Sequence, residues 1–280
     1  DLPIALSITN LYSARAQSVN YTHTREWEVG LNLFLADVGV LTAPGSAFAR
    51  LNVMIHLDHI MRDADAALLS RDMAPFSSFD ASPLPFEENV EATLRFVEQR
   101  RDEIVIEGAC DEIAAAGDEK MSALTTPERA ATYAAATGVD FIVPNLGTEH
   151  RASAADLFYD GELARRIKSR IGSRLVLHGC SSVSKEQIRD LANDGICKVN
   201  LWTALERDSS PALLADMVRN AAKVAGRETA TRLAADGYLG PKADAQSPPR
   251  IAYFTTTYRQ GVIFDEMKRI VMDYLALWYV

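Results

Sequence analysis

Residues 51–59 read LNVMIHLDH, an apolar run that ends in two histidines and an aspartate. Apolar runs of this length that contain Val and Ile are typical of β-strands that lie inside a protein. The segment therefore predicts a buried strand at residues 52–57, with His56, Asp58 and His59 at its far end. Polar side chains in that position indicate either a paired structural role or a functional site.

Short strand-like runs recur along the chain, at residues 4–8, 52–57, 76–79, 104–107, 141–144, 174–178 and 197–200. Helical patterns lie between them, at residues 86–101, after the Thr126-Pro127 start signal and after the Ser184…Gln187 capping box. This alternation predicts an α/β fold with a parallel sheet. Seven strands are one short of a (β/α)8 TIM barrel, so its first βα unit would precede Asp1. A doubly wound open sheet is the alternative, although no G-x-G-x-x-G motif follows a strand.

The pattern changes after Asn200. Residues 211–225 predict a helix, residues 237–249 are rich in Gly and Pro and predict a loop, and residues 262–278 predict a last helix with an apolar face. We therefore predict a TIM-barrel catalytic domain at residues 1–225. Residues 226–280 would form a C-terminal loop and helix that pack on the barrel or on a partner subunit.

The composition limits the classes of function. The 280 residues are 48% hydrophobic and 24% charged, as in ordinary soluble globular proteins. The net charge of −9 disfavours a nucleic-acid partner, which needs a basic surface. No apolar run reaches the ~20 residues of a membrane span, and three widely spaced cysteines do not make a disulfide framework. We expect a cytoplasmic protein with a small-molecule substrate and no nucleic-acid or membrane partner.

Four of the five histidines lie in or just after predicted strands. In a barrel the carboxyl ends of all strands meet at one mouth, which would bring His59, His150 and His178 together. Three imidazoles with one open position are a catalytic zinc arrangement, so these three are the candidate ligands of one Zn²⁺ per chain. His56 would support the site from behind the ligands. Asp58 would stand beside the metal and transfer a proton.

The motifs HLDH, FSSFDASPLPFEENV, VIEG, TGVDFIVPNLGTEH, LVLHG and KVN occur in this order. In this respect the chain resembles the class II, zinc-dependent ketose-bisphosphate aldolases, from about residue 3 to about residue 203. The resemblance implies a (β/α)8 barrel whose first strand and helix precede Asp1. It also implies that His59, His150 and His178 bind catalytic zinc and that Asp58 is the acid/base on the aldehyde-derived half.

The resemblance also suggests roles for other residues. Asn200 falls on the substrate-binding asparagine of the family, Asp80 on its aspartate near the metal, and Glu107 on the first glutamate of its EGE motif. A second catalytic carboxylate comes from a mobile loop in the family. Asp118 and Glu119 are the nearest matches here, and Glu119 is our candidate, with plain surface charge as the competing interpretation.

The sequence departs from the family where a phosphate is bound. Arg151 replaces the glycine after the second metal histidine, and the HGGSG motif has become HGCSS. Gly179 and Ser181 survive there and are candidate substrate-binding residues, because a backbone N–H and a hydroxyl can still bind an anion. Cys180 and Ser182 restrict the turn where glycine was free. Cys180 is either reactive or simply a small buried residue.

Two further departures follow the same strands. Trp202 stands before the substrate-binding candidate Thr203 and would fill space near the substrate, and Ala109 replaces the second glutamate of EGE. Two interpretations compete. Arg151 clamps a phosphate or carboxylate within an intact aldolase mechanism, or the phosphate cradle is lost and the substrate is not a ketose 1-phosphate.

We therefore predict a class II, zinc-dependent aldolase that cleaves a phosphorylated or acidic ketose reversibly. One alternative is a zinc hydrolase on the same barrel, in which a metal-bound water attacks and Asp58 acts as general base. Another is a non-catalytic relative that binds a sugar phosphate. Family resemblance and the apolar last helix favour a homodimer or homotetramer.

Overall fold

The computed structural model describes residues 3–13, 15–69, 75–113, 123–149 and 158–278. Within these ranges seven parallel strands form one sheet in chain order. They are β1 (Ile4–Thr9), β2 (Val53–Met61), β3 (Phe76–Asp80), β4 (Val105–Ala109), β5 (Phe141–Val143), β6 (Leu175–Leu177) and β7 (Ile196–Val199). All seven predicted strands are confirmed. A doubly wound sheet reverses its strand order partway, so the sequential order excludes that alternative.

Helices in the described part of the chain connect the strands and extend beyond them. They are α1 (Gln17–Asn20), α2 (Trp27–Thr42), α3 (Ala66–Leu69), α4 (Phe86–Arg100), α5 (Pro127–Thr137), α6 (Gly161–Ile171), α7 (Lys185–Ile188), α8 (Leu191–Asp194), α9 (Thr203–Arg219), α10 (Ala221–Ala225), α11 (Arg227–Ala235), α12 (Ile251–Phe254) and α13 (Thr256–Trp278). Among the described residues, none of these helices combines the length and apolar character that a bilayer crossing requires.

The start signals of two helices are confirmed. Thr126 precedes α5 and accepts a hydrogen bond from the backbone N–H of Arg129, with Pro127 in the first helical position. Ser184 and Gln187 form the complete capping box at the start of α7. These side chains satisfy N–H groups that have no partner inside a helix, so they fix where each helix begins after its strand.

The prediction of a single helix over residues 211–225 is wrong. α9 already begins at Thr203, contains Pro211 in its interior, and ends at Arg219 before the separate α10. A proline inside a helix removes one backbone hydrogen bond. The packing of α13 along α9 offsets this loss, since tertiary contacts supply most of the stability of a helix in a protein.

The sheet is curled. Asn200 follows β7, yet its side-chain amide donates a hydrogen bond to Asp58 on β2 at 3.0 Å. In a flat sheet five strand spacings of about 4.8 Å would separate these strands by about 24 Å. The sheet therefore has the curvature of a TIM-barrel-like fold. No strand of the described residues joins the free edges of β1 and β7, so the eighth strand stays a prediction.

Side chains alternate between the two faces of the curled sheet. The outer face packs against the helices in the main core, which includes Phe79, Phe96, Ile106, Ile142 and Leu177. On the inner face the described residues include a small apolar cluster of Ala109, Val143 and Val176 and the ring of Phe76, which lies against His56. The polar strand-end residues therefore lie on the concave side, inside the barrel.

The last helix packs on the same molecule. Tyr274, Leu277 and Trp278 of α13 lie against the main core, and Ile270 is buried. The confirmed loop between α11 and α12 leads to this helix. The division of the chain at residue 225 and the contact with a partner subunit stay predictions.

Candidate active site

A bulge in β2 shapes the HLDH segment. Between Leu57 and Ile60, β2 has one residue more than the facing stretch of β3, and His59 has a left-handed backbone with φ of 49°. Neighbouring residues of a regular strand point to opposite faces. Because of the bulge, both Asp58 and His59 offer ligand atoms within 4.8 Å of those of His178.

The rings of His59 and His178 meet edge to face on the concave side of the sheet, with their centres 4.8 Å apart and their planes at 78°. Nε2 of His59 lies 3.1 Å from Nδ1 of His178. The far nitrogen of each ring pairs with a buried carboxylate: Nδ1 of His59 with Asp80 at 2.7 Å, and Nε2 of His178 with Glu107 at 2.8 Å. Tyr12 stacks on the His59 ring at 4.5 Å and fixes its plane.

This arrangement fits a zinc ion. Ring nitrogens that bind zinc usually belong to histidines whose other N–H donates to a carboxylate, which sets the tautomer and the ring orientation. Two nitrogens of a tetrahedral zinc site lie about 3.3 Å apart, close to the separation seen here. Asp80 and Glu107 therefore orient His59 Nε2 and His178 Nδ1 so that the two nitrogens could hold one cation between them.

The electrostatics of the pair are favourable. Burial alone would raise the pKa of Asp80, but the hydrogen bond and charge of His59 lower it to about 2. Burial alone would lower the pKa of His59, but the carboxylates of Asp58 and Asp80 raise it above its ordinary value. The concave face thus holds fixed negative charge that favours a cation.

Asp58 is buried and has partners on both carboxylate oxygens. Oδ1 accepts a hydrogen bond from Asn200 at 3.0 Å, and Oδ2 accepts one from Arg15 at 2.7 Å. Burial alone would raise the pKa of Asp58, but the nearby histidines and the Arg15 guanidinium hold it well below its usual range. Asp58 is therefore a carboxylate at neutral pH, as a proton acceptor must be.

A second buried group lies beneath these residues. Lys198 on β7 donates to Glu107 at 2.8 Å and also bonds to Asn200. His56 bonds to Ser7 through Nδ1 at 2.9 Å, and burial together with the charge of Lys198 lowers its pKa to about 4. His56 is therefore neutral, and its Nε2 lies 3.9 Å from Glu107, the carboxylate that pairs with His178; its role in support of metal ligands stays a prediction.

The turn after β6 is tightly packed against the chain that leads from β5. Gly179 has φ of 69°, and a Cβ there would lie 2.8 Å from the carbonyl oxygen of Glu149. Thr148 donates to the carbonyl of His178 at 2.8 Å. The hydroxyl of Ser181 is buried without a hydrogen-bond partner among the described residues. Ser181 thus keeps a free donor, the property expected of a substrate-binding residue.

Several predicted residues lie outside the described ranges: His150, Arg151, Asp118 and Glu119. Thr203 is described and begins α9, directly after Trp202. Cys180 is buried in the main core, and burial raises the pKa of its thiol to about 12. Of the two interpretations of Cys180, the structure supports the small buried residue.

The sequence analysis did not identify three residues of the site: Tyr12, Arg15 and Lys198. Tyr12 and Arg15 follow β1. Because the loops after the strands of a barrel form its active-site face, the position of these two residues in the chain could have indicated that they line the site. Lys198 lies in the KVN motif two residues before Asn200. β7 has an extra residue between its pairs with Leu175 and Val176, a local irregularity that the pattern of residues does not reveal.

Two adjoining cavities open at the mouth. The smaller, about 60 Å³, lies at His59 and His178 and includes Glu112 in its wall. The larger, about 270 Å³, shares Tyr12 and Asp80 with the smaller one and extends over apolar side chains. A small-molecule substrate therefore has access to both histidines.

Comparisons with known proteins agree with this geometry. The sequence model of a family described as "Fructose-bisphosphate aldolase class-II" matches residues 20–245. The YdjI aldolase from Escherichia coli K12 is 18% identical, with a TM-score of 0.63 over 99% of this chain and 82% of that chain. A fructose-bisphosphate aldolase from Campylobacter jejuni is 17% identical, with a TM-score of 0.66 over 99% and 83%. A putative fructose-1,6-biphosphate aldolase from Coccidioides immitis is 20% identical, with a TM-score of 0.59 over 99% and 92%. At these identities the likeness to the solved structures concerns the fold.

Proposed function

The chain belongs to the class II fructose-bisphosphate aldolase family, and from that premise we propose that it is a zinc-dependent aldolase acting on a phosphorylated or acidic ketose. The observation that carries the proposal is the facing pair His59 and His178, each supported by its own buried carboxylate. A pair of this kind next to the buried carboxylate of Asp58 is what aldol cleavage requires.

We propose His59, His178 and His150 as the zinc ligands. His150 follows directly on Glu149, whose carbonyl lies against the turn after His178. A divalent cation in this position would stabilise the negative charge that develops on the oxygens of the ketone fragment. Asp80 and Glu107 would hold the ligand rings in place, so their contribution is geometric and electrostatic.

Asp58 is the proposed acid/base. In the cleavage direction it accepts the proton of the hydroxyl whose carbon becomes the aldehyde, and in the addition direction it returns that proton. Asn200 donates to Asp58 and lies 2.9 Å from His178, so its amide can orient a substrate oxygen between them. Lys198 bonds to Asn200 and fixes the orientation of the amide.

Other roles rest on the family pattern alone. Glu119 would exchange a proton at the carbon next to the carbonyl, with Asp118 as its alternative. Gly179, Ser181, Arg151 and Thr203 would bind the anionic part of the substrate. A cytoplasmic homodimer or homotetramer remains our expectation for the assembly.

The proposal is tested by analysis of products from ketose mono- and bisphosphates and ketose acids incubated with zinc-loaded protein. An aldolase yields two carbonyl fragments, and Asp58→Asn should slow their formation by about 10²- to 10⁴-fold while the zinc remains bound. Release of inorganic phosphate or another hydrolysis product without carbonyl fragments would instead identify the zinc hydrolase. Bound substrate without either reaction, and without exchange of the protons next to the carbonyl, would identify a non-catalytic relative.

A further inference from the structure

Arg15 covers the carboxylate that the proposed mechanism needs. It comes from the loop after β1, and its Nη2 donates to Oδ2 of Asp58 at 2.7 Å. Oδ1 of the same carboxylate is bonded to Asn200 at 3.0 Å. A carboxylate with a guanidinium on one oxygen and an amide on the other has little access for a substrate hydroxyl. Proton transfer at Asp58 therefore requires that one of these partners moves.

Arg15 is the partner that can move. Asn200 is also bonded to Lys198 and lies against His178, so it is held from several sides. The guanidinium of Arg15 instead lies over the ring of Trp202, with its central carbon 4.7 Å from the ring centre. An aromatic face attracts a guanidinium stacked on it but makes no hydrogen bonds to the N–H groups at its edge, so these can bind either carboxylate or another anion.

Arg15 also has a hydrogen-bond donor that the structure leaves unused. Its Nε is buried and has no hydrogen-bond partner among the described residues. A guanidinium binds carboxylates and phosphates through two parallel N–H groups, and the edge formed by Nε and Nη2 suits this bidentate contact. Leaving a buried donor unsatisfied costs free energy that a bound anion would recover.

The site offers an incoming anion few other cationic groups that lack a carboxylate partner. Asp58, Asp80 and Glu107 are buried carboxylates that would repel it. Two other described basic side chains lie near the cavities, and each already has a carboxylate partner: Lys198 is paired with Glu107, and Arg62, in the wall of the larger cavity, with Asp63. Two glycines of the family's phosphate turn are replaced by Cys180 and Ser182, so that turn retains only Gly179 and Ser181 as anion-binding candidates.

We propose that Arg15 recognises the anionic group of the substrate and so determines specificity. When substrate binds, the Arg15 guanidinium releases the carboxylate of Asp58 and binds the anionic group instead. Asp58 is then uncovered only when an anionic ketose occupies the site. Trp202 holds the guanidinium in both positions, which gives a reason for the large aromatic residue that departs from the family pattern before Thr203. This inference rests on the proposed function, because it assigns Asp58 the proton transfer.

The kinetic test compares an anionic ketose with the neutral ketose of the same carbon skeleton. We expect Arg15→Gln to lower kcat/KM for the anionic ketose by about 10- to 100-fold, the size of a lost charge-assisted contact. For the neutral ketose kcat should stay the same or rise, because Asp58 is no longer covered. Arg15→Lys should retain part of the preference for the anion. Equal losses with both substrates would overturn the inference, since a merely structural role predicts them.

The matched control is Arg170→Gln. Arg170 forms an exposed ion pair with Glu128 at 2.9 Å, and neither residue lines the two cavities. This variant also removes an arginine from a carboxylate, so it controls for loss of charge and of an ion pair. It should leave both substrates unaffected.

A binding test separates this inference from the proposed function. Inorganic phosphate and malonate are titrated calorimetrically into zinc-loaded wild-type protein and Arg15→Gln, and the two anions distinguish phosphate from carboxylate recognition. We expect the better of the two to bind Arg15→Gln about 10-fold more weakly. Unchanged binding of both anions would refute the role of Arg15 even in an active aldolase. Arg15-dependent binding in a protein that cleaves no ketose would refute the aldolase proposal and leave the anion site standing.

Discussion

The turn at Gly179 offers a sharp test of the packing next to His178, a proposed zinc ligand. Substituting Gly179→Ala adds a Cβ that would lie 2.8 Å from the carbonyl oxygen of Glu149 and 3.0 Å from the Cβ of Thr148. These are backbone and short side-chain atoms, so they cannot swing away. We expect the turn and the chain at Glu149 to be pushed apart.

Gly138 provides a matched control, because its backbone has the same φ of 69° and nearly the same ψ, 23° against 33°. A Cβ at Gly138 would meet only the far end of the Arg101 side chain, at 3.3 Å. Both substitutions carry the left-handed cost of about 1–2 kcal/mol, partly offset by about 0.4–1 kcal/mol from the more restricted unfolded chain. Overpacking adds about 1–3 kcal/mol at Gly179 alone.

The assay is urea unfolding of both variants and the wild type under the same conditions. We expect Gly179→Ala to lose about 1–3 kcal/mol more unfolding free energy than Gly138→Ala, and its affinity for zinc to fall as His178 shifts. Losses of equal size at the two positions would refute the reasoning, because the close contact with Glu149 would then have no energetic consequence.

Three further predictions concern the charged groups of the site. Asp58→Asn should lower kcat of ketose cleavage by about 10²- to 10⁴-fold, measured by coupled assay of the aldehyde product, whereas a loss below 10-fold would remove Asp58 as acid/base. Asp80→Asn should weaken zinc binding by about 10- to 100-fold, because His59 loses the carboxylate that orients it. The affinity is measured by competition titration with a chelator, and an unchanged affinity would contradict the orienting role of Asp80. In metal-free protein the pKa values of Asp80 and Glu107 are lower folded than their unfolded value of about 4. The stability they confer is complete above about pH 5 and is lost as the pH falls toward 2, so thermal unfolding should shift to lower temperature over this range. Lys198→Met should make this pH-dependent decrease in unfolding temperature smaller. An unchanged dependence of the unfolding temperature on pH would argue against the Lys198–Glu107 pair.

Much of the sheet could be predicted from the sequence because each strand is a short apolar run between turn signals. The barrel expectation then brought His59 and His178 together from positions far apart in the chain. It also placed Asp58 beside them, since all three lie at or just after the carboxyl ends of predicted strands. These predictions depend on strand order and strand ends, which local patterns specify well.

The finer geometry could not be predicted. Alternation along β2 places Asp58 and His59 on opposite faces, and only the bulge brings both to the site. Arg15 gave no signal beyond its place in a loop, because its contact with Asp58 depends on the path of that loop. The start of α9 was missed because packing against α13 outweighs the local signal of Pro211.

The central claim is that the strand-end histidines hold a catalytic zinc ion, and metal analysis tests it most directly. Wild-type protein, His178→Ala and His23→Ala would each be supplied with zinc, separated from free metal and analysed for zinc per chain. His23 is an exposed histidine outside the site, so it controls for loss of an imidazole. We expect about one zinc per chain in the wild type and in His23→Ala, and in His178→Ala a clear loss of both zinc and ketose cleavage. Folded wild-type protein that takes up no zinc, or His178→Ala that retains all of it, would contradict the account.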